Sequence, residues 1–302
     1  MDATEPVPTR HPAKAALRKG IVMIDLKRIL SRSLVLTGFA VVAGVSLANG
    51  PAVSATLEEI RARGYMIVAT EDDYKPFEYM VDGKPTGFDH ELLAELRKQV
   101  PFEIRQEIIP WTGLLAGVST GKYDVAVTAA MITKERVKSL DFTSPIADAT
   151  HYYVIRKDDT SIKGIKDLSG KTVGVQAGSA LLERLPELEA MLAKTGGKMG
   201  KVVQYTSYPE AYQDLALGRV DYVVNTIINL NSLVKDKPDV FAIGEAVSGP
   251  SAPAWAVAKG NTELLALLNK FMAEEKASGE LGKLQEKWLG QAFPNLPVSI
   301  TP

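Results

Sequence analysis

Apolar residues recur along this chain in two alternating rhythms. Leu92, Leu93 and Leu96 share one helix face behind Asp89, which is placed to cap it, and Leu114, Leu115 and Val118 do so in a helix opened by Pro110 and Trp111. Between them lie runs with strand character. Tyr65 to Ala69 and Asp124 to Thr128 are almost continuously apolar, as strands covered on both faces are, while Phe102 to Ile108 alternates. Thr56 and Glu59 stand at capping-box spacing at the head of a first short helix, which Gly64 ends. Glu71 to Gly87 reads as a loop.

Strands and helices in this order predict an α/β fold with a largely parallel sheet, and a ligand crevice beyond the carboxyl ends of its strands. The Glu71–Phe77 loop, Trp111 and the Thr128–Arg136 segment then share one rim. Thr133 caps a charged turn around Arg136. Beside Lys134, Glu135 and Lys138, Arg136 taken alone reads as part of a solvated helix face.

The plan repeats downstream. Lys171 to Val175 is a strand that runs into Gln176-Ala177-Gly178-Ser179, with Ser179 placed to cap a helix, and Lys201 to Tyr205 is another strand. Gly121-Lys122-Tyr123-Asp124 has a counterpart in Gly218-Arg219-Val220-Asp221, each behind a helix and each leading into an apolar strand. Two α/β lobes on one plan follow. Two amphipathic helices close the chain, one through Leu264, Leu267, Leu268 and Phe271, the other through Leu281, Leu284 and Trp288.

Composition alters the picture at the N-terminus. Lys27, Arg28 and Arg32 precede an apolar run from Leu34 to Leu47, and Val53-Ser54-Ala55 fits a small-x-small cleavage site, the order of a secretory signal peptide. The run is short and Gly-broken for a membrane span. Residues 1–55 are expected as a leader, with Met23 a plausible true start. This leader carries seven Lys/Arg and three Asp/Glu, so a chain of formal charge −1 becomes −5 once it is removed. No basic excess points to nucleic acid. With no Cys there is no disulfide framework, thiolate metal site or lipid-modified Cys, and an exported, periplasmic protein is expected. His11 lies in the leader, His90 on a helix and His151 near a crossing, so the histidines suggest no catalytic or metal site and no cofactor is expected.

Several stretches together carry a resemblance: Gly87-Phe88-Asp89-x-Glu91-Leu92, Gly121-x2-Asp124, Thr133-x2-Arg136, Phe142-Thr143-x-Pro145, Asp167-Leu168-x-Gly170-Lys171, Gly218-x2-Asp221 and Lys287-Trp288. Over residues 57–290 the chain resembles the periplasmic solute-binding proteins of ABC transporters for polar amino acids, family 3 type. The resemblance implies two Rossmann-like lobes joined by a two-strand hinge, of periplasmic binding protein type II: lobe one at 57–150 plus 252–302, and lobe two at 151–251. It places the hinge strands at Tyr152–Ile155 and Ala254–Val257, and it implies a monomer that closes over a small ligand and delivers it to a membrane ABC permease.

Residue by residue, Arg136 falls on the family's carboxylate-binding Arg, whose planar fork suits two carboxylate oxygens as Lys cannot. Gly178 and Ser179 fall on a turn whose backbone N–H groups meet the same carboxylate. Tyr74 and Trp111 fall on the walls, Glu71 on a polar position beside them, and Ala129 and Met131 on the strand end before Thr133. Where the family holds the ligand's ammonium with an Asp, this chain has Asn225-Thr226, and where it offers a second hydroxyl it has Met131. Three substitutes follow: Glu71 holds the amine, the aromatics hold a methylated cation, or the ligand has no amine. An enzyme of dehydratase type on this fold would need a general acid where Asn225-Thr226 stand. A ligand sensor docking on a membrane receptor is the other alternative.

Overall fold

The structure is a computed structural model that describes residues 54–302. The leader and the Met23 start lie outside the described residues, apart from Ser54 and Ala55. Helix α1 (Leu57–Arg63) forms as its capping box requires: Thr56 Oγ1 accepts from the Glu59 N–H at 3.2 Å, and Glu59 Oε2 from the Thr56 N–H at 2.8 Å. Strand β1 (Tyr65–Glu71) follows. The stretch expected as a loop instead forms a small antiparallel sheet of β2 (Asp73–Tyr74), β3 (Glu78–Val81) and β4 (Lys84–Thr86), strands too short to carry a periodic signal. Helix α2 (Phe88–Gln99) has Gly87 at its N-cap position, so Asp89 is not its cap but the second residue of its first turn, fully buried. Gly87 takes φ 127°, and a Cβ there would run into the Phe77 carbonyl, so only Gly fits.

Strand β5 (Glu103–Ile109), helix α3 (Leu114–Ser119), strand β6 (Val125–Met131) and strand β7 (Leu140–Phe142) complete the first half. The chain then enters β8 (His151–Arg156), β9 (Val173–Gln176), α4 (Ala180–Glu183), α5 (Leu185–Ala193), β10 (Val202–Tyr205), α6 (Tyr208–Ala216), β11 (Tyr222–Thr226), α7 (Ile227–Asp236) and β12 (Phe241–Ala246). It returns through β13 (Pro253–Ala258) to α8 (Thr262–Ser278) and α9 (Glu280–Leu289).

Two five-stranded sheets result, ordered β5-β1-β6-β13-β7 and β10-β9-β11-β8-β12. In each, three parallel strands are followed by antiparallel ones. Every residue of β6 and β13 is buried, which accounts for their unbroken apolar runs. The repeated Gly-x-x-Asp does the same work twice: Asp124 accepts from the Ile67 N–H at 2.6 Å, and Asp221 from the Thr172 N–H at 2.7 Å. Each carboxylate ties the start of one parallel strand to its neighbour.

The strands expected as the hinge, β8 and β13, lie inside the two sheets, and the crossings are the segments beside them, residues 143–150 and 247–252. They are tied by the Ala149 N–H on the Ser251 carbonyl at 2.8 Å, and just beyond, the Val247 N–H reaches the carbonyl of His151 at the head of β8 at 2.9 Å. Arg184 donates to the Gly249 and Pro250 carbonyls at 3.1 and 3.2 Å, and Glu187 accepts from the Gly249 N–H at 2.9 Å. The second crossing is thereby fixed to α4 and α5.

Candidate functional site

The carboxyl ends of β1, β6, β9 and β11 bring Glu71, Met131, Gln176 and Thr226 to the seam between the lobes. Past β6, Thr133 Oγ1 accepts from the Arg136 N–H at 3.2 Å and winds the chain into a single 3-10 turn. That turn directs Arg136 inward. Only 7% of the residue is exposed, so it belongs to no solvated face. One guanidinium nitrogen donates to the Met131 carbonyl at 3.0 Å and another to the Gly178 carbonyl of the opposite lobe at 3.2 Å, while Glu183 stands 3.9 Å away. The fork is held between two neutral carbonyls, weaker partners than a carboxylate.

Trp111 lies under the guanidinium, which sits 5.1 Å from its ring centroid. It precedes α3 rather than opening it: the Trp111 carbonyl accepts from Leu114 at 3.0 Å, and Gly113 at φ 88° lets the helix start late.

On the facing lobe, Gly178 takes φ 70°. Ser179 caps α4 by accepting from the Leu182 N–H at 3.2 Å, and its hydroxyl donates to the Gln176 carbonyl at 2.8 Å. The turn was expected to offer backbone N–H groups. In this closed arrangement the Ser179 N–H is used on the Gln176 carbonyl at 3.3 Å, and Gly178 presents its carbonyl to Arg136.

Arg136, Glu71, Tyr74, Trp111, Ala129, Met131 and Ser179 converge on one space of about 270 Å³. Glu71 is 2% exposed and accepts from Gln176 Nε2, across the seam, at 2.8 Å. Burial pushes its carboxyl well above the ordinary range; the Gln176 bond opposes this, and the neighbouring Asp73 and Asp72 charges add to it. Asp73 is raised to about 6, by burial first and then by Asp72. On one wall Glu71 has only a neutral donor, and on the other, among the described residues, Arg136 has no carboxylate nearer than Glu183 at 3.9 Å.

Asn225 and Thr226 are placed apart from this space. Asn225 accepts from Tyr74 Oη at 3.2 Å and donates to Tyr212 Oη at 2.7 Å, lining a separate space of about 630 Å³ on the far side of Tyr74. Thr226 is fully buried as the cap of α7, accepting from the Asn229 N–H at 3.3 Å. Sequence reasoning did not single out Gln176 or Thr128, which also line the Arg136 space. Their positions at the ends of β9 and β6 were the available signal. Among the described residues no three His, Asp or Glu side chains converge as a metal ion would need.

Two α/β lobes connected twice, with a space between them lined by Arg136 and Glu71, are the architecture of a type II periplasmic binding protein. Solved structures agree. An ancestral arginine-binding protein bound to arginine superposes with a TM-score of 0.67 at 36% identity, covering 75% of this chain and 98% of that one. The ancestral amino acid-binding protein AncCDT-1, described as a precursor of cyclohexadienyl dehydratase, superposes at 0.69 with 30% identity, covering 78% and 100%.

Residues 66–291 match the bacterial extracellular solute-binding proteins, family 3, and the chain belongs to that family. Among curated relatives, the L-cystine-binding protein TcyJ of Escherichia coli is 33% identical over 83% of this chain and 92% of its own. The arginine-binding extracellular protein ArtP of Bacillus subtilis is 32% identical over 74% and 85%.

Proposed function

We propose that this protein captures a small amino acid or close derivative in the periplasm and presents it to a membrane ABC permease. Arg136 forks onto the ligand carboxylate, and Glu71 supplies the negative partner for a protonated nitrogen that Asn225 and Thr226 do not. Tyr74 and Trp111 flank the ligand, Ala129, Met131 and Ser179 shape the space, and the Gly178–Ser179 turn joins the carboxylate when it displaces the Gly178 carbonyl from Arg136. Lobe one, residues 57–150 plus 252–302, and lobe two, residues 151–251, move about the two crossings. The protein works as a monomer and without a cofactor.

One observation carries this reading: a buried guanidinium and a buried carboxyl with a raised pKa line the same space between the lobes. A zwitterion satisfies both at once. The relatives support the class, since they are named for cystine and arginine, and one ancestral structure holds glutamine. They are named as binding proteins, which supports capture rather than turnover.

Titration calorimetry with L-cystine, L-arginine and L-glutamine tests the reading. Binding of at least one is expected, with loss in Arg136→Ala. Binding of none, or unchanged affinity in Arg136→Ala, overturns it.

A further inference from the structure

Behind the wall that carries Glu71 lies a second acidic pair that the reading above does not use. Glu78 on β3 and Asp89 on α2 are both fully buried. Thr128 Oγ1 donates to Glu78 Oε1, and Trp255 Nε1 donates to Asp89 Oδ1 at 2.6 Å. The other two oxygens, Glu78 Oε2 and Asp89 Oδ2, have no N–H or O–H partner. The charge of Asp89 acts on Glu78, and no cation offsets either group.

Two buried carboxylates without a cation cannot both stay ionised. A single proton shared between the two unpartnered oxygens removes one charge and satisfies both atoms. Burial, and for Glu78 the Asp89 charge, push both carboxyls upward, Asp89 to about 6 and Glu78 well above its ordinary range. With the proton on that side, Glu78 Oε1 is left as an acceptor only. The one hydroxyl proton of Thr128 is therefore spent on Glu78, and its lone pairs remain for the Arg136 space, which Thr128 also lines.

We propose that the Glu78–Asp89 pair is a positioning device that holds the Thr128 hydroxyl as a fixed acceptor toward the cleft, so that the site selects ligands presenting an N–H donor at that wall. The proposal rests on the ligand reading above and names the group the wall recognises. Glu78 and Asp89 do not touch ligand; they act through Thr128.

Two measurements test it, the first without ligand. Infrared difference spectroscopy of the unliganded protein at neutral pH should show the band of a protonated carboxylic acid that is missing from Glu78→Gln. If Glu78→Gln removes only carboxylate intensity, the shared proton does not exist and the proposal fails, whatever the protein binds.

The second uses the tightest binder among L-cystine, L-arginine and L-glutamine, with analogues that each replace one nitrogen by oxygen. For one nitrogen the wild-type preference for the amine should be at least about tenfold. Thr128→Val should collapse that ratio to within about threefold, while Thr128→Ser should keep it. Glu78→Gln should also keep it, because the amide mimics the protonated acid, with its oxygen on Thr128 and its NH2 on Asp89. Glu78→Leu, which offers Thr128 no acceptor, should lose it. A ratio unchanged in Thr128→Val, or lost in Glu78→Gln while the protein still melts cooperatively, overturns the proposal. If none of the three amino acids binds, the ligand reading is what fails, and the infrared result alone decides the pair.

Discussion

Gln176 of one lobe donates to Glu71 of the other at 2.8 Å, and both side chains are 2% exposed. This bond joins the lobes at the point where the cleft is most acidic. Its donor is neutral, so it leaves the charge problem of Glu71 unsolved. A ligand cation would solve it, and the following expectations turn on that difference.

Arg136→Ala should reduce ligand affinity at least about a hundredfold, because it strands a buried carboxylate without its partner. Arg136→Lys should bind almost as poorly, lacking the planar fork. The unliganded fold should lose about 1–3 kcal/mol, the cost of leaving the Met131 and Gly178 carbonyls without their donor, read from a urea midpoint.

Binding of a cation-bearing ligand should release protons. The Glu71 carboxyl sits well above its ordinary range in the unliganded closed state, and a cation beside it pulls it down. Between those two values affinity rises with pH, by up to about tenfold per unit for one proton released. Calorimetry in buffers of different ionisation enthalpy measures the release directly. Glu71→Gln should abolish it, flatten the profile and weaken binding.

Stability of the unliganded protein should show the opposite slope. Asp73 titrates near 6 when folded and near 3.8 otherwise, so within that window the folded state holds more protons than the unfolded one. Asp89 behaves alike. Melting temperature should therefore rise as pH falls from about 7 toward 5, and Asp73→Asn should reduce the rise. A melting temperature that falls over that range would contradict the placement of these groups.

The cross-lobe contacts should differ sharply in value. Lys75–Asp236 pairs at 2.5 Å, but its side chains are 40% and 48% exposed, so Asp236→Ala should change affinity by less than about threefold. Tyr74→Phe removes a buried bond to Asn225 and should cost more. Ligand at a thousandfold excess over its Kd should stabilise the protein by about 4 kcal/mol. It should also reduce the radius of gyration in solution scattering, as closure about the crossings requires.

Gly87→Ala should be among the most damaging single-methyl changes. Its φ of 127° is closed to other residues, and an added Cβ would meet the Phe77 carbonyl with the Pro76 carbonyl oxygen at 2.9 Å. A loss of at least about 2 kcal/mol is expected in denaturant unfolding.

Long elements with a clear period were legible in the sequence: α2 from Leu92, Leu93 and Leu96, β6 from its apolar run, and the two Gly-x-x-Asp ties from their repetition. Arg136 was legible only through resemblance, since a charged turn looks the same whether its Arg points in or out. What the chain concealed was tertiary. The strands of the small sheet are two to four residues long and take their register from one another. Asp89 looks like a helix cap because nothing local reports the Trp255 indole waiting 166 residues away. Counting along β11 reaches Asn225 and Thr226, but Tyr74 stands between Asn225 and the Arg136 space, and Thr226 caps α7.

The crossings, finally, are a tied pair rather than two separate tethers. Ala149 is bonded to Ser251 and, just beyond, Val247 to His151 at the head of β8, and Arg184 with Glu187 pins the second crossing to α4 and α5. Such a ribbon resists shear, because sliding one crossing past the other breaks every rung, yet it can bend across its plane with the rungs intact. The lobes thus have one soft direction of travel. A small bend at the crossings is magnified into a large displacement at the mouth of the cleft, so contacts far from the crossings are the first to part as the lobes open.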